Sequence, residues 1–483
     1  MNLSIVQRIL GLLLILFSVT MLPPLCVALY FGEGSWRAFT DAFVALLAIG
    51  ALIWIPVRHK QRELRLRDGF LVVALFWVVL GVAGAAPLLL SAHPDISITD
   101  AVFEAVSGFT TTGATVLVGL DELPRSILYY RSQIQWLGGI GIVVLAVALL
   151  PMLGVGGMQL LRAEAPGPVK DAKLTPRITE TAKRLWLVYL LLTAICAAAY
   201  LGAGMTVFDA IAHAFSTIST GGFSTHDANL AYFKNEVVEY IAVIFMFLGG
   251  VNFSLHFLVW RQRRIGDYFR DAEFRVYAGL LLLSVALYAT VLYFSATTPD
   301  RNAAFQLALF HAVSMQTTTG FRIDNFTLWP GALPVILILS TFIGGCAGSS
   351  SGGMKVMRWL LMWKQGQREV VQLVHPSAEL PVKIGRKPVD ARVIDAVWGF
   401  FAVYVVSFGT LMVLLIATGE DQVTAFSAIA ACMNNTGAAL GQVASTFTTL
   451  PTEGKWICVL AMLLGRLEVF PLLVLISPSF WRR

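Results

Sequence analysis

A chain of 483 residues with 57% hydrophobic and only 13% charged residues cannot clothe a water-facing surface, since ordinary soluble domains carry about 25% charged residues. A mean hydropathy of +0.74 also excludes disordered or collagen-like chains. Cys26, Cys196, Cys346, Cys432 and Cys458 show neither metal-ligand spacing nor a disulfide framework. These properties describe a polytopic membrane protein.

A spanning helix needs about 20 mostly apolar residues. Stretches 9–31, 38–57, 69–92, 133–153, 185–204, 237–259, 276–296, 333–361, 394–418 and 456–477 meet that need. Pro23 and Pro24 in the first suggest a kink, and a second span follows at once without a small-residue cleavage site, so the segment does not read as a cleaved signal. The amino terminus, 58–68, 162–184, 261–275, 355–395 and the final Arg482 and Arg483 hold 27 basic and 12 acidic residues. The alternate segments 32–37, 93–132, 206–236, 297–330 and 419–455 hold 7 basic and 14 acidic residues. The positive-inside rule therefore places both termini and the basic loops in the cytoplasm. The basic charge is spread over short connectors, which excludes a nucleic-acid surface.

Each outer segment after residue 93 suits a hairpin that enters from outside and returns. Asp100-AVFEAVSGFTTTGAT, Phe208-DAIAHAFSTISTGGFST, Phe305-QLALFHAVSMQTTTGFRID and Val423-TAFSAIAACMNNTGAALGQV align on Gly113, Gly222, Gly320 and Gly437. Each has an apolar run of about three helical turns, then small polar residues, then the glycine. Ser107, Ser216 and Ser314 lie six residues before it, where the fourth copy has Ala431; Glu104, His213 and His311 lie nine before it, where the fourth has Ala428. The expected fold is an all-α membrane protein with two N-terminal helices (1–68) and four span–pore-helix–filter-loop–span repeats (69–165, 166–270, 271–375 and 376–483) around a pseudo-fourfold central pore. The third repeat has a broken second span.

Irregular backbone at membrane depth is tolerated where protein buries it or where it lines a watery path. Each loop follows the carboxyl end of its half-helix, the negative pole of the helix dipole. Four such poles facing one axis favour a cation. Thr, Ser, Gly and Asn are short enough for main-chain carbonyls to reach that axis, and rings of carbonyls can replace a hydration shell.

In Thr110-TTGAT, Ser219-TGGFST, Thr317-TTGFRIDN, Asn434-NTGAALGQV and Gly344-GCAGSSSGGMK, over its whole length, the chain resembles the Trk/Ktr/HKT superfamily of potassium transporters, and within it the bacterial TrkH-type members with two additional N-terminal helices. The resemblance implies potassium-coordinating carbonyls at Thr111, Thr112 and Gly113; Thr220, Gly221 and Gly222; Thr318, Thr319 and Gly320; and Asn435, Thr436 and Gly437. Sodium-preferring plant relatives carry serine in place of the first filter glycine, so Gly113 implies potassium. Gly221 and Asn435 depart from strict fourfold identity, which makes equal contributions from the repeats an open point.

Span 333–361 is interrupted by glycine and serine too dense for a stable helix, since each Gly costs about 1 kcal/mol relative to Ala. Gly344, Gly345, Gly348, Ser349, Ser350, Ser351, Gly352 and Gly353 read either as a small-residue packing face or as a flexible gate below the filter. Arg466 in the last span pairs with Glu468 or Glu239, or stands in the pore as a barrier to cations. The resemblance favours the gate and the pore-facing arginine. Glu104, His213 and His311 are expected to bond neighbouring repeats. Asp41 and Glu239 read as interfacial, Arg322 and Asp324 as a pair or as ion-steering groups, and Trp136, Trp329 and Trp456 as belt anchors.

No H-E-x-x-H, G-x-S-x-G or Walker-type loop is present, so the expected protein is not an enzyme. No cofactor is expected, and potassium is the expected substrate. The leading function is channel-like potassium uptake across the bacterial inner membrane. The alternative is a proton- or sodium-coupled secondary symporter; the parallel repeats and few buried carboxylates favour the channel-like path. The resemblance further implies a homodimer and a separate cytoplasmic nucleotide-binding regulatory subunit (TrkA-like), for which 162–184 and 355–395 are the proposed contact surfaces. Membrane lipid is the remaining expected partner.

Overall fold

Among the residues that the computed structural model describes (3–60, 66–144, 174–295, 300–378, 380–385, 387–469, 475 and 477–481), six helices are long and apolar enough to cross a membrane. Helices α1 (Leu3–Val19) and α2 (Leu22–Phe31) make the first 29-residue apolar unit. Its break at Thr20 and Met21 precedes Pro23 and Pro24 in the first turn of α2, where a missing N–H deprives no helical acceptor. Helix α3 (Trp36–Trp54) packs back on α1 through Gly11 and Gly50; a Cβ on Gly11 would lie 2.9 Å from the Gly50 carbonyl.

The first repeat comprises α4 (Leu66–Ala83), α5 (Ala86–Leu90), half-helix α6 (Ile98–Phe109) and α7 (Arg125–Val144). Helices α8 (Leu174–Gly202), half-helix α9 (Val207–Ile218), α10 (Glu236–Gly249) and α11 (Phe253–Gln262) follow. The short α12 (Gly266–Arg270) leads into α13 (Ala272–Phe294), half-helix α14 (Arg301–Gln316), α15 (Leu333–Thr341) and α16 (Val356–Val374). A two-strand antiparallel hairpin, Lys383–Ile384 with Lys387–Pro388, precedes α17 (Ala391–Ala417), half-helix α18 (Gln422–Met433) and α19 (Thr452–Arg466). One apolar core joins the N-terminal helices to the first and fourth repeats, and another joins the second and third. The molecule is an all-helical multi-span membrane protein.

Three expected spans are not continuous helices, and one of them, 333–361, is broken as its sequence predicts. Stretch 237–259 is bent by 96° between α10 and α11 rather than continuous. The break has local causes: Asn252 caps α11 by accepting from the Ser254 N–H at 2.8 Å, and the freed carbonyls of Gly249 and Gly250 accept from Ser350 and Cys346 of the third repeat. Stretch 333–361 is divided by irregular backbone between α15 and α16. In the last expected span, 456–477, α19 ends at Arg466, after which Glu468 and Val469 adopt positive φ (53° and 62°). Residues 145–153 of the expected fourth span, 162–173 of the first long basic loop, 470–474 and 476 of the last span, and Arg482 and Arg483 lie outside the described residues.

Candidate functional site: four repeated loops and the segment packed against them

Each half-helix starts with a side-chain cap. Ser97, Thr206, Asp300 and Asp421 accept from the N–H groups of Asp100, Asp209, Asn302 and Val423, respectively, the bond that satisfies an orphan donor of the first turn. Each ends the same way. Thr111, Thr220, Thr318 and Asn435 take φ of 54°, 51°, 58° and 53°, and Gly113, Gly222, Gly320 and Gly437 take 79°, 80°, 78° and 71°. A β-branched residue with positive φ is a rare, strained state. It is held here by one repeated bond: Thr112, Gly221, Thr319 and Thr436 donate their N–H to the carbonyls of Ser107, Ser216, Ser314 and Ala431 at 2.8–2.9 Å. Ser107 and Ser314 add hydroxyl bonds to the carbonyls of Ala114 (2.5 Å) and Phe321 (2.7 Å).

The four glycines meet in a circuit. A Cβ on Gly113 would lie within 3.0 Å of the Gly221 carbonyl oxygen, one on Gly222 within 3.0 Å of that of Thr319, one on Gly320 of that of Thr436, and one on Gly437 of that of Thr112. The carbonyl immediately before the glycine of one repeat thus rests on the glycine of another, and the chain of contacts closes on itself. Twelve residues singled out from sequence, Thr111–Gly113, Thr220–Gly222, Thr318–Gly320 and Asn435–Gly437, are brought together here. Every polar side chain among them is buried.

The second repeat departs from the others for a visible reason. Gln135 of α7, fully buried, donates to the Gly221 carbonyl at 2.7 Å and accepts from the Phe223 N–H at 3.1 Å. A Cβ on Gly221 would run into this side chain within 3.0 Å, so the threonine of repeats one and three has no room. Those threonines make hydroxyl pairs, Thr110 with Thr112 at 2.7 Å and Thr317 with Thr319 at 2.8 Å. In the fourth repeat, Asn435 donates to the Thr112 hydroxyl (2.9 Å) and the Met462 carbonyl (3.0 Å).

The polar residues behind the loops bond within their own repeats rather than with neighbours. Glu104 accepts from Thr115 Oγ1 (3.0 Å), the Val116 N–H (2.9 Å) and Arg131 Nε (2.8 Å). Arg131 carries the link onward, with its guanidinium 4.2 Å from the Phe223 ring centre and a bond to the Ser224 carbonyl. Sequence reasoning missed Arg131 and Gln135, although a buried charge on a span is itself a signal. His213 bonds the Asp209 carbonyl and Ser224 Oγ, and His311 the Leu307 carbonyl. Arg322 and Asp324 do not pair: Arg322 donates to the Ala444 carbonyl at 2.6 Å and Asp324 accepts from Trp329 Nε1 at 2.9 Å. Trp136 bonds Thr193 and stacks on Phe215 inside the fold, and Trp329 is buried; Trp456 alone of the three expected anchors is exposed. Away from the circuit, His226 bonds Asp121 at 2.5 Å and faces Asp209 at 3.5 Å. Burial alone would lower the His226 pKa, but the bonds to Asp209 and Asp121 outweigh it and raise the pKa. Burial likewise opposes ionisation of Asp121, and the bond from His226 overrides it and lowers the pKa.

Between α15 and α16, residues 344–353 pass directly under the circuit. Gly352 N–H donates to Thr318 Oγ1 at 2.6 Å, and Gly353 N–H to the Asn434 carbonyl at 3.0 Å. Ser350 Oγ bonds the carbonyls of Ile218 (2.9 Å) and Gly249 (3.1 Å). The segment is therefore tied to the second, third and fourth half-helices at once. Arg466, 2% exposed, donates from Nη1 to the Ser350 carbonyl at 3.1 Å, while its Nε and Nη2 have no acceptor among the described residues. It pairs with neither expected partner. Glu468 is taken by Arg358, and Glu239 accepts from Gln306 at 2.6 Å.

Comparison with known proteins agrees with this geometry. A family model described as "TrkH: Cation transport protein" matches residues 35–483. The Trk system potassium uptake proteins TrkH of Halomonas elongata and Escherichia coli K12 are 53% and 52% identical over 488 and 482 residues, covering all of this chain and all of each relative. The crystal structure of the potassium transporter TrkH from Vibrio parahaemolyticus superposes with a TM-score of 0.94 at 50% identity, again over the whole of both chains.

Proposed function

The chain belongs to the TrkH family of cation transport proteins, non-enzymatic membrane transporters, and from that premise we propose that it takes up potassium through a channel-like path lined by main-chain oxygens. Two N-terminal helices (1–68) and the four repeats 69–165, 166–270, 271–375 and 376–483 surround a pseudo-fourfold pore. Its filter is Thr111–Gly113, Thr220–Gly222, Thr318–Gly320 and Asn435–Gly437. The observation that carries this reading is the closed circuit of carbonyls resting on glycines. Four equivalent backbone turns at the negative ends of four half-helices offer a dehydrated monovalent cation oxygen ligands without a side-chain charge.

Gly344, Gly345, Gly348, Ser349, Ser350, Ser351, Gly352 and Gly353 form the gate, because this segment lies across the inner side of the filter roots of three repeats. Arg466 is its electrostatic companion. A guanidinium at this depth costs about 2.5–3.5 kcal/mol to insert, and two of its donor nitrogens have no acceptor among the described residues, which leaves them to oppose a cation. The protein works as a homodimer in the bacterial inner membrane with both termini cytoplasmic. A cytoplasmic nucleotide-binding subunit contacts the basic segments 162–184 and 355–395, and neutralising the charges of 355–395 should abolish that contact in a pull-down assay.

Rubidium and sodium uptake by liposomes containing this chain alone tests the proposal. The native chain should favour rubidium, and Gly113→Ser should erode that preference, since any Cβ there meets the Gly221 carbonyl at a positive φ. Uptake that follows the potassium gradient alone supports the channel-like path. A requirement for a proton or sodium gradient would establish the symporter instead.

A further inference from the structure

Most bonds holding residues 344–353 are neutral: amides of Cys346, Ser350 and Gly353 on the carbonyls of Gly250, Gly249 and Asn434, and the amide of Gly352 on a threonine hydroxyl. One acceptor is a side-chain carboxyl oxygen. Glu273, in the first turn of α13 and 4% exposed, receives the Ala347 N–H at 2.6 Å and the Met357 N–H at 3.2 Å, both on Oε1. Ala347 lies inside the irregular segment, and Met357 is the second residue of α16. A single oxygen therefore fastens the segment to the start of the helix that leaves it.

Among the described residues no Lys or Arg lies within ion-pair distance of this carboxylate. Its compensation comes from the two amides and from the amino-terminal pole of α13. A buried carboxyl group packs poorly unless it is hydrogen-bonded, so its placement calls for a role that an apolar side chain would not fill. The geometry points to Glu273 as the latch of the intramembrane segment, a positioning residue on the cytoplasmic side that holds the segment down in the closed state. This rests on the reading of 344–353 as the gate.

Cys346, 1% exposed and inside the segment, is a native reporter. Its alkylation rate in liposome-embedded protein, quantified by mass spectrometry, follows the population in which the segment has lifted. Glu273→Ala should raise that rate about tenfold or more, while Cys196, Cys432 and Cys458, buried elsewhere, stay protected. Glu273→Gln keeps the Oε1 acceptor and should leave the rate near native. Glu273→Asp keeps the carboxyl group, withdraws the oxygen by about 1.5 Å and should raise the rate. An unchanged rate in both the Ala and Asp variants overturns the latch, as does a Gln variant that behaves like Ala. If the Ala variant exposes all four buried cysteines, it has unfolded, and the Asp and Gln pair decides. Rubidium flux measured beside labelling separates the two readings: faster labelling with unchanged flux leaves the latch standing and refutes the segment as gate.

Discussion

Gln135 offers the sharpest test of why the second filter loop is unlike the rest. Replacing it with alanine strips the donor from the Gly221 carbonyl and the acceptor from the Phe223 N–H, at a site with no solvent exposure. A buried amide left without a partner costs about 1–3 kcal/mol, and the void adds to that. Gly221 rests on Gly113, so the loss falls on the proposed filter itself; if about 1.4 kcal/mol of it reaches the ion, the rubidium-over-sodium preference falls about tenfold. Gly221→Thr alone should be at least as harmful, because its Cβ would overlap the Gln135 amide. Combining the two frees the space and places a hydroxyl opposite Ser219, as Thr112 stands opposite Thr110. The double variant should therefore recover part of the selectivity lost by either single variant, with a coupling of about 0.5–3 kcal/mol. Uptake of both ions into liposomes, with thermal unfolding as a folding control, measures the cycle. Strictly additive losses would refute the steric and hydrogen-bond account of Gly221.

Other perturbations reach different parts of the assembly. Arg466→Ala should raise rubidium permeation in liposomes, and unchanged flux from properly folded protein would count against its role as a barrier. Arg131→Met should lower the thermal unfolding temperature in detergent by leaving the Glu104 carboxylate buried and unpaired, a loss of about 3–5 kcal/mol; an unaltered melting curve would show the pair to be dispensable. The His226 contact should weaken as external pH rises. Because its pKa is raised above 6.5, the contribution is complete below that value and disappears as pH passes through the raised one. Thermal stability followed against pH should show this slope in the native chain, and His226→Gln should flatten it.

Much of this architecture could be read before any coordinates, because it is written in local chemistry. Apolar runs give most of the spans. The in-register motifs ending at Gly113, Gly222, Gly320 and Gly437 correspond to four equivalent turns. What could not be read depends on neighbours distant in sequence. The left-handed backbone is not confined to glycine: Thr111, Thr220, Thr318 and Asn435 share it, since the bond reaching five residues back into each half-helix selects that conformation regardless of intrinsic preference. The bend after Gly249 exists because another repeat takes up the carbonyls it frees. Gln135, Arg131 and Glu273 acquire their meaning from partners 86, 27 and 74 positions away, and no local pattern marks such pairings. Trp136 and Trp329 show the converse, aromatic residues at interface-like positions that fill the interior instead.

In the proposed transporter, the bonds from Gly352 to Thr318 and from Gly353 to Asn434 make recognition and release two aspects of one equilibrium. Whatever lifts the strap also removes props from the oxygens that choose the ion, and whatever seats an ion firmly must by reciprocity bias the strap. Variants selected for leakiness should then prove less discriminating as well, and the concentration of permeant ion outside should influence how often the inner door stands ajar.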